Sequence, residues 1–449
     1  MPEIYPVGAW CAILSAMTTS SSNADPIVGD IEQFLMNVIS GLWSTKSATQ
    51  QAEPGRPRVV PALCLWGALL VCVLKGFTHQ VDIWRLLATS NFWFYPRFLV
   101  TDQAVYKRLA SAGTTALLTL FEQVSTVLRE RLAPYTHTDL AAFATDVLVV
   151  DEATLDQMAR WLPSLRDVPP GDERLLPGKF AGLFDVRRQQ WRKVSYIAES
   201  HQNEKVAARE MVAGVPLHTL ILADLGYFAF AWFDDLSAQG YWWLSRLRSK
   251  TSYTVRHIFY QTDGFFDGLV WLGAYRADKA AQAVRLVSFR VGTATYSYIT
   301  NVLDPHLFPA TEIARVYARR WDIELAIKMI KQHLNLHLWW SAKLVVIQQQ
   351  MWAVFIIAQI LHALQVEIAG RAGVDVFDVS LQLLVEYAPR CAADGDDVVT
   401  IFVERGRALG FIRPSTRLRP RAPVIASELI TPCPPDLILV RQPRYAQRE

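Results

Sequence analysis

The chain has 449 residues, 51% of them hydrophobic and only 19% charged, which excludes intrinsic disorder and leaves apolar mass for two or three structural units. Lys plus Arg outnumber Asp plus Glu by 45 to 42, so the net charge of +3 does not announce a polyanionic partner, and any nucleic-acid surface must be a local cluster. The five cysteines (Cys11, Cys64, Cys72, Cys391, Cys433) make no CxxC pair and no His/Cys ligand spacing, which argues against a disulfide framework or structural zinc and fits a reducing cytoplasm.

The N-terminal apolar stretch lacks a basic n-region and is not read as a secretory signal. Segments 19–30 and 44–58, rich in small and polar residues with Pro and Gly, read as loops. Helical patterns follow at 30–43, 59–75, 80–88, 102–112 and 114–132, so residues 1–135 form a predicted all-helical, candidate DNA-binding unit. Helices 80–88 and 102–112 are a candidate helix-turn-helix pair with Lys107 and Arg108 facing DNA, ordinary helical packing being the alternative. Positive mean hydropathy raises a membrane question. The longest clean apolar run, 59–74, falls short of the roughly 20 residues of a spanning helix. It also carries Pro61 and is flanked by Arg56, Arg58 and Lys75, so it reads as a core helix and no membrane is expected.

The pattern then changes to α/β. The apolar run 147–150 ends in Asp151. Segments 178–186 and 191–199 read as a hairpin, 203–212 as a helix, and 219–223 as a strand ending in Asp224. Helix 227–238 and strand 241–247 come next. An acid at the carboxyl end of a short apolar strand sits at the rim of an α/β sheet, where ligands bind. Residues 248–310 read as a β-rich insertion with strands at 269–274, 283–291 and 296–303. A long helix is predicted over 311–337, with Thr311 as N-cap and Glu312 in its first turn. Helices at 343–370 and 378–388 and a basic tail (Arg413, Arg417, Arg419, Arg421) complete a C-terminal region, 366–449. His333 and His337 have zinc-compatible spacing but no HExxH pattern or third ligand. Asp234 and Asp235 read as solvated surface, and Trp242, Trp243, Trp339, Trp340 and Trp352 as core.

On the long helix, Tyr317, Arg320, Glu324 and Lys331 fall within an arc of about 60°. Val316, Ile323, Ile327, Ile330 and Leu334 make a neighbouring apolar stripe that would dock the helix on the sheet. A carboxylate between two cations is held ionised, and the cations can bind phosphate oxygens while the carboxylate holds a metal. A surface helix with salt bridges is the competing reading of these residues alone.

The spacing Tyr317, Arg320, Glu324, Lys331, with Trp321 after the arginine, resembles the Y-R-E-K signature of the insertion-sequence-four group of bacterial DDE transposases. The resemblance covers about 145–365. It implies a ribonuclease-H-like catalytic domain from 145–247 plus 311–365, with Asp151, Asp224 and Glu324 as catalytic metal ligands. It further implies two Mg²⁺ ions (Mn²⁺ able to substitute), DNA contacts from Tyr317, Arg320, Trp321 and Lys331, and a homodimer on double-stranded DNA at the element's ends and target. A cytoplasmic, nucleoid-associated enzyme and a hairpin intermediate also fit. The sequence departs from the group where Glu152 follows Asp151 and Leu225, rather than Arg, follows Asp224. A catalytically degenerate DNA-binding descendant is therefore the alternative. Tyr296 and Trp271 are the candidates for the base-receiving aromatic that some members carry in the insertion.

Overall fold

The computed structural model describes residues 59–89, 97–155, 164, 166–169, 178–199, 202–274, 279–394, 396–417 and 420–441. The predicted helix 30–43 and Arg419 lie outside them. Nine strands form one mixed sheet: β1 Val147–Thr154, β2 Lys179–Asp185, β3 Gln190–Ile197, β4 Leu220–Ala223, β5 Trp242–Arg246, β6 Tyr253–Thr262, β7 Phe265–Leu272, β8 Val284–Val291 and β9 Ala294–Thr300. Their order is β3-β2-β1-β4-β5-β9-β8-β7-β6. β1 pairs antiparallel with β2 and parallel with β4, and β4 pairs parallel with β5. This α/β arrangement is consistent with the ribonuclease-H-like description. The insertion strands do not form a separate layer, because β9 pairs with β5 and carries the sheet outward. β6 escaped the sequence reading because it is a largely exposed edge strand with little apolar alternation.

The period-2 alternation of β1 and β4 divides two cores. Leu148, Val150, Ile221 and Ala223 face helices α5 (Glu204–Val212) and α6 (Phe230–Ala238), through Ala208, Met211, Trp232 and Phe233. Val147, Val149, Leu220 and Leu222 face the opposite layer. That layer holds α7 (Ala310–Ala318), α8 (Asp322–Lys328) and α9 (Leu344–Ala372), and in the same cluster α1 (Ala62–Leu74), α2 (Val81–Thr89), α3 (Asp102–Ser111) and α4 (Thr115–Arg131). The N-terminal helices thus share the core of the sheet. α9 is longer than the 59–74 run. It is long and apolar enough to cross a membrane, but 83% of its most apolar window is buried inside the protein, as in a core helix that is apolar all round. Two further helices, α10 (Leu381–Asp394) and α11 (Val398–Arg405), precede an extended segment that returns to the sheet and bridges Val440 to Gln282.

The helix predicted over 311–337 is broken. α7 starts after Pro309 as N-cap, a 3₁₀ turn spans Arg319–Trp321, and α8 runs into a π turn at Met329–His333. Overwinding and underwinding are opposite in sense, so the buried stripe of Val316, Ile323, Ile327, Ile330 and Leu334 survives both. Thr311 is not the cap, but Glu312 does lie in the first turn, where its carboxylate accepts the Ala141 N–H at 2.7 Å.

Candidate active site

The β1–β4 register pairs Val147 with Leu220, Leu148 with Ile221 and Val149 with Leu222, each 73 positions apart. Asp151 and Asp224 have the same separation, so they stand level on neighbouring parallel strands. By alternation both follow Val149 and Leu222 onto the face covered by α7 and α8. Gly182 lies opposite Asp151 on β2, and a Cβ there would come within 2.4 Å of the Trp191 ring.

Glu324 approaches from α8. Arg320 Nη2 donates to Glu324 Oε1 at 2.6 Å, and its Nε lies 3.9 Å from Asp224 Oδ1. Arg320 is nearly buried, whereas Glu324 and Asp224 retain 31% and 47% side-chain exposure, so the pair opens toward solvent. Asp151 lies deeper. Burial pushes its carboxyl up to about 7; the Glu152 N–H and Arg320 oppose this, and Glu324 and Asp224 add to it. Lys331 is drawn to the same point: burial lowers its pKa and the Asp151 charge works against that. Tyr317 is buried, with its hydroxyl 3.5 Å from the Ala223 carbonyl, and burial raises its pKa. Asp151, Asp224, Glu324, Arg320 and Lys331 thus interact electrostatically in one region, with Tyr317 buried beside it and Trp321 half exposed at the rim, the Arg320 guanidinium 5.5 Å from its ring.

The donor chemistry fits a hard divalent cation, since carboxylate oxygens are its preferred ligands and the charges of Asp224 and Glu324 reach Asp151, which burial disfavours as an anion. Arg320 now fills the cationic role between Asp224 and Glu324. Among the described residues, no three His, Cys, Asp or Glu side chains are drawn together closely enough to hold a metal ion. Ligation would require the guanidinium to turn away.

The raised Asp151 pKa has a stability consequence. Between the unfolded carboxylate value near 4 and the folded value of about 7, the folded protein holds a proton that the unfolded chain has lost. Metal-free stability should therefore fall as pH rises through this window and level off above it. At pH 8, Asp151→Asn should be more stable than wild type by ~1–3 kcal/mol in EDTA, measured by denaturant unfolding. Equal stability would mean that Asp151 carries no buried charge.

Glu152 points to the opposite face and pairs with buried Lys179 at 2.5 Å, so its place after Asp151 is structural. Trp271 is enclosed, with Arg256 and Arg441 guanidinium carbons 4.1 and 5.2 Å from its ring. Tyr296 instead lines an open cavity of about 280 Å³ beside Arg320, with Tyr298, Tyr317, Trp321 and Arg246. Arg246, ending β5, was missed; its signal was an arginine terminating the strand next to that of Asp224. Arg417 is not a free tail cation, because it is 2.7 Å from buried Asp322. Arg108 of the candidate helix-turn-helix bonds the Val60 carbonyl, while Lys107 is exposed. Asp234 accepts N–H groups of Ala281 and Gln282, and Asp235 pairs with Arg209. His337 Nδ1 lies 2.5 Å from the Lys331 carbonyl oxygen.

Residues 193–360 match the sequence model of the transposase DDE domain family, a span that includes Asp224 and Glu324 but begins after Asp151. This match supports reading the chain as a DDE transposase. No curated protein matches the chain in sequence. Among solved structures, the cryo-EM structure of the piggyBac transposase synaptic complex with hairpin DNA is similar over 90% of this chain and 88% of that one, at 10% identity and a TM-score of 0.39.

Proposed function

We propose that this chain is a cut-and-paste DNA transposase of the insertion-sequence-four group, acting as a homodimer on double-stranded DNA. Asp151, Asp224 and Glu324 would hold two Mg²⁺ ions, or Mn²⁺ in their place. The observation that carries this reading is the convergence of two level aspartates and a helix-borne glutamate with Arg320 and Lys331. Divalent ions held by these residues would supply Lewis-acid activation for displacement at phosphorus.

The protein's own part is electrostatic and positional. Arg320, released from Asp224 and Glu324, is placed to bind phosphate oxygens, with Arg246 lining the same cavity and Lys331 acting on Asp151. Tyr296 and Trp321, the accessible aromatics of this cavity, offer flat faces for an unstacked base beside the reacting phosphate, over buried Tyr298 and Tyr317. Arg246 provides a cation on the rim where Leu225 replaces the group's arginine, and Arg248 donates to the Leu225 carbonyl at 3.0 Å.

Supercoiled plasmid incubated with the protein should be nicked in Mg²⁺ or Mn²⁺ and left intact in EDTA. Binding without cleavage in either metal would favour the degenerate DNA-binding descendant that Leu225 suggests. Arg246→Ala and Lys331→Ala should each weaken binding on all sequences alike and reduce the slope of log affinity against log salt by about one. An unchanged slope would make either residue a structural partner of the acids instead.

A further inference from the structure

Arg320 spans two of the carboxylates proposed to hold metal. It leaves the 3₁₀ turn Arg319–Trp321 one helical turn ahead of Glu324, and its side chain is only 10% exposed. Nη2 donates to Glu324 Oε1 at 2.6 Å, while Nε lies 3.9 Å from Asp224 Oδ1. The shorter contact is a charge-assisted hydrogen bond, among the strongest that side chains make. Arg320 also favours the charge of Asp151 against burial, so one cation serves all three acids.

A guanidinium has no lone pair to offer a metal, and it stays charged at every working pH. It therefore cannot share the same carboxylate oxygens with a divalent ion, and no change of pH neutralises it. Asp224 and Glu324 can turn to an ion only when Arg320 gives them up. A nearly buried arginine that loses both partners is costly unless another anion takes it. Space for such an anion adjoins it, since Arg320 lines the open cavity of about 280 Å³ together with Arg246, Tyr296 and Trp321. Arg246, exposed at the end of β5, adds a second guanidinium to that space. Two guanidiniums lining one opening suit a phosphate, which accepts paired N–H bonds.

Resting on the metal-holding role proposed for Asp224 and Glu324, we infer that Arg320 is a built-in competitor of the divalent ion. It holds the two carboxylates in the DNA-free protein and yields them when a DNA phosphate takes its guanidinium. Metal binding and DNA binding then favour each other, each raising the other's affinity by the same factor. The acids load fully only once substrate is in place.

Mn²⁺ titration of the full chain without DNA, followed by the EPR signal of the free ion, tests the competition. Arg320→Ala and Arg320→Gln should each bind Mn²⁺ at least about ten-fold tighter than wild type. Adding Asp224→Asn to Arg320→Ala should reverse that gain. Arg246→Ala removes a cation of the same cavity without freeing either acid, and should leave the DNA-free affinity within about three-fold. In anisotropy titrations, Mg²⁺ should improve duplex affinity by about ten-fold more for wild type than for Arg320→Ala. If both Arg320 variants bind Mn²⁺ no tighter than wild type while Asp224→Asn still weakens binding, the competition falls and the metal site stands. An equal Mg²⁺ gain in wild type and Arg320→Ala overturns the coupling. Mn²⁺ binding that ignores Asp224→Asn in both backgrounds removes the metal reading itself, and the competition with it.

Discussion

Asp151→Asn, Asp224→Asn and Glu324→Gln are each expected to lower metal-dependent DNA cleavage by on the order of 10³-fold or more, while DNA binding stays near wild type and stability does not fall below it. Each substitution preserves shape and removes one oxygen charge from a site whose proposed work is to hold divalent ions. The separation from folding follows from the geometry. Asp224 and Glu324 are partly exposed and share only Arg320. Asp151 is more comfortable neutral than charged, because burial raises its pKa to about 7. Plasmid cleavage and filter binding on the same preparations check this. Wild-type cleavage by any one variant removes that residue from the metal-holding set.

Asp322→Ala is expected to act in the opposite manner, costing about 3–5 kcal/mol of stability. Asp322 is buried two positions before Glu324. Its carboxylate accepts from Arg319 at 2.6 Å, Gln189 at 2.8 Å and Arg417 at 2.7 Å. The Arg319 and Arg417 guanidinium carbons lie 5.0 and 4.6 Å from the Phe377 ring. One side chain therefore ties the 3₁₀ turn, the β2–β3 turn and the C-terminal segment to the start of α8. Removing it strands one buried and one half-buried cation. The exposed Asp235–Arg209 pair is the control, and Asp235→Ala should cost about 0–1 kcal/mol. Denaturant unfolding of both variants compares them directly. Equal losses would mean that the Asp322 network does not hold the helix.

The two aspartates were legible because each ends a short apolar run, and the offset that makes them level is a matter of strand register. Helix periodicity placed Tyr317, Arg320, Glu324 and Lys331 on one side even though the helix is broken at Arg319 and Met329, since the two irregular turns wind in opposite senses. Long-range pairing was not legible. Nothing local tells that Arg417 is spent on Asp322, 95 residues away, or that Glu152 is matched by Lys179. Arg246 and Tyr298 were missed for the same reason, because their roles arise only where β5 and β9 come together beside the helix. The continuity of the sheet through the insertion likewise depends on β9 choosing β5, which composition does not encode.

The most direct test of the metal-holding role is Fe²⁺-generated hydroxyl-radical cleavage of the protein backbone, mapped by mass spectrometry with Mg²⁺ as competitor. Iron bound among the three acids should cut the chain near residues 151, 224 and 324 together. Excess Mg²⁺ should suppress all three cuts, and Asp224→Asn should weaken all three. Cuts confined to other segments, or cuts at these three that ignore both Mg²⁺ and the Asp224 substitution, would contradict a shared metal site.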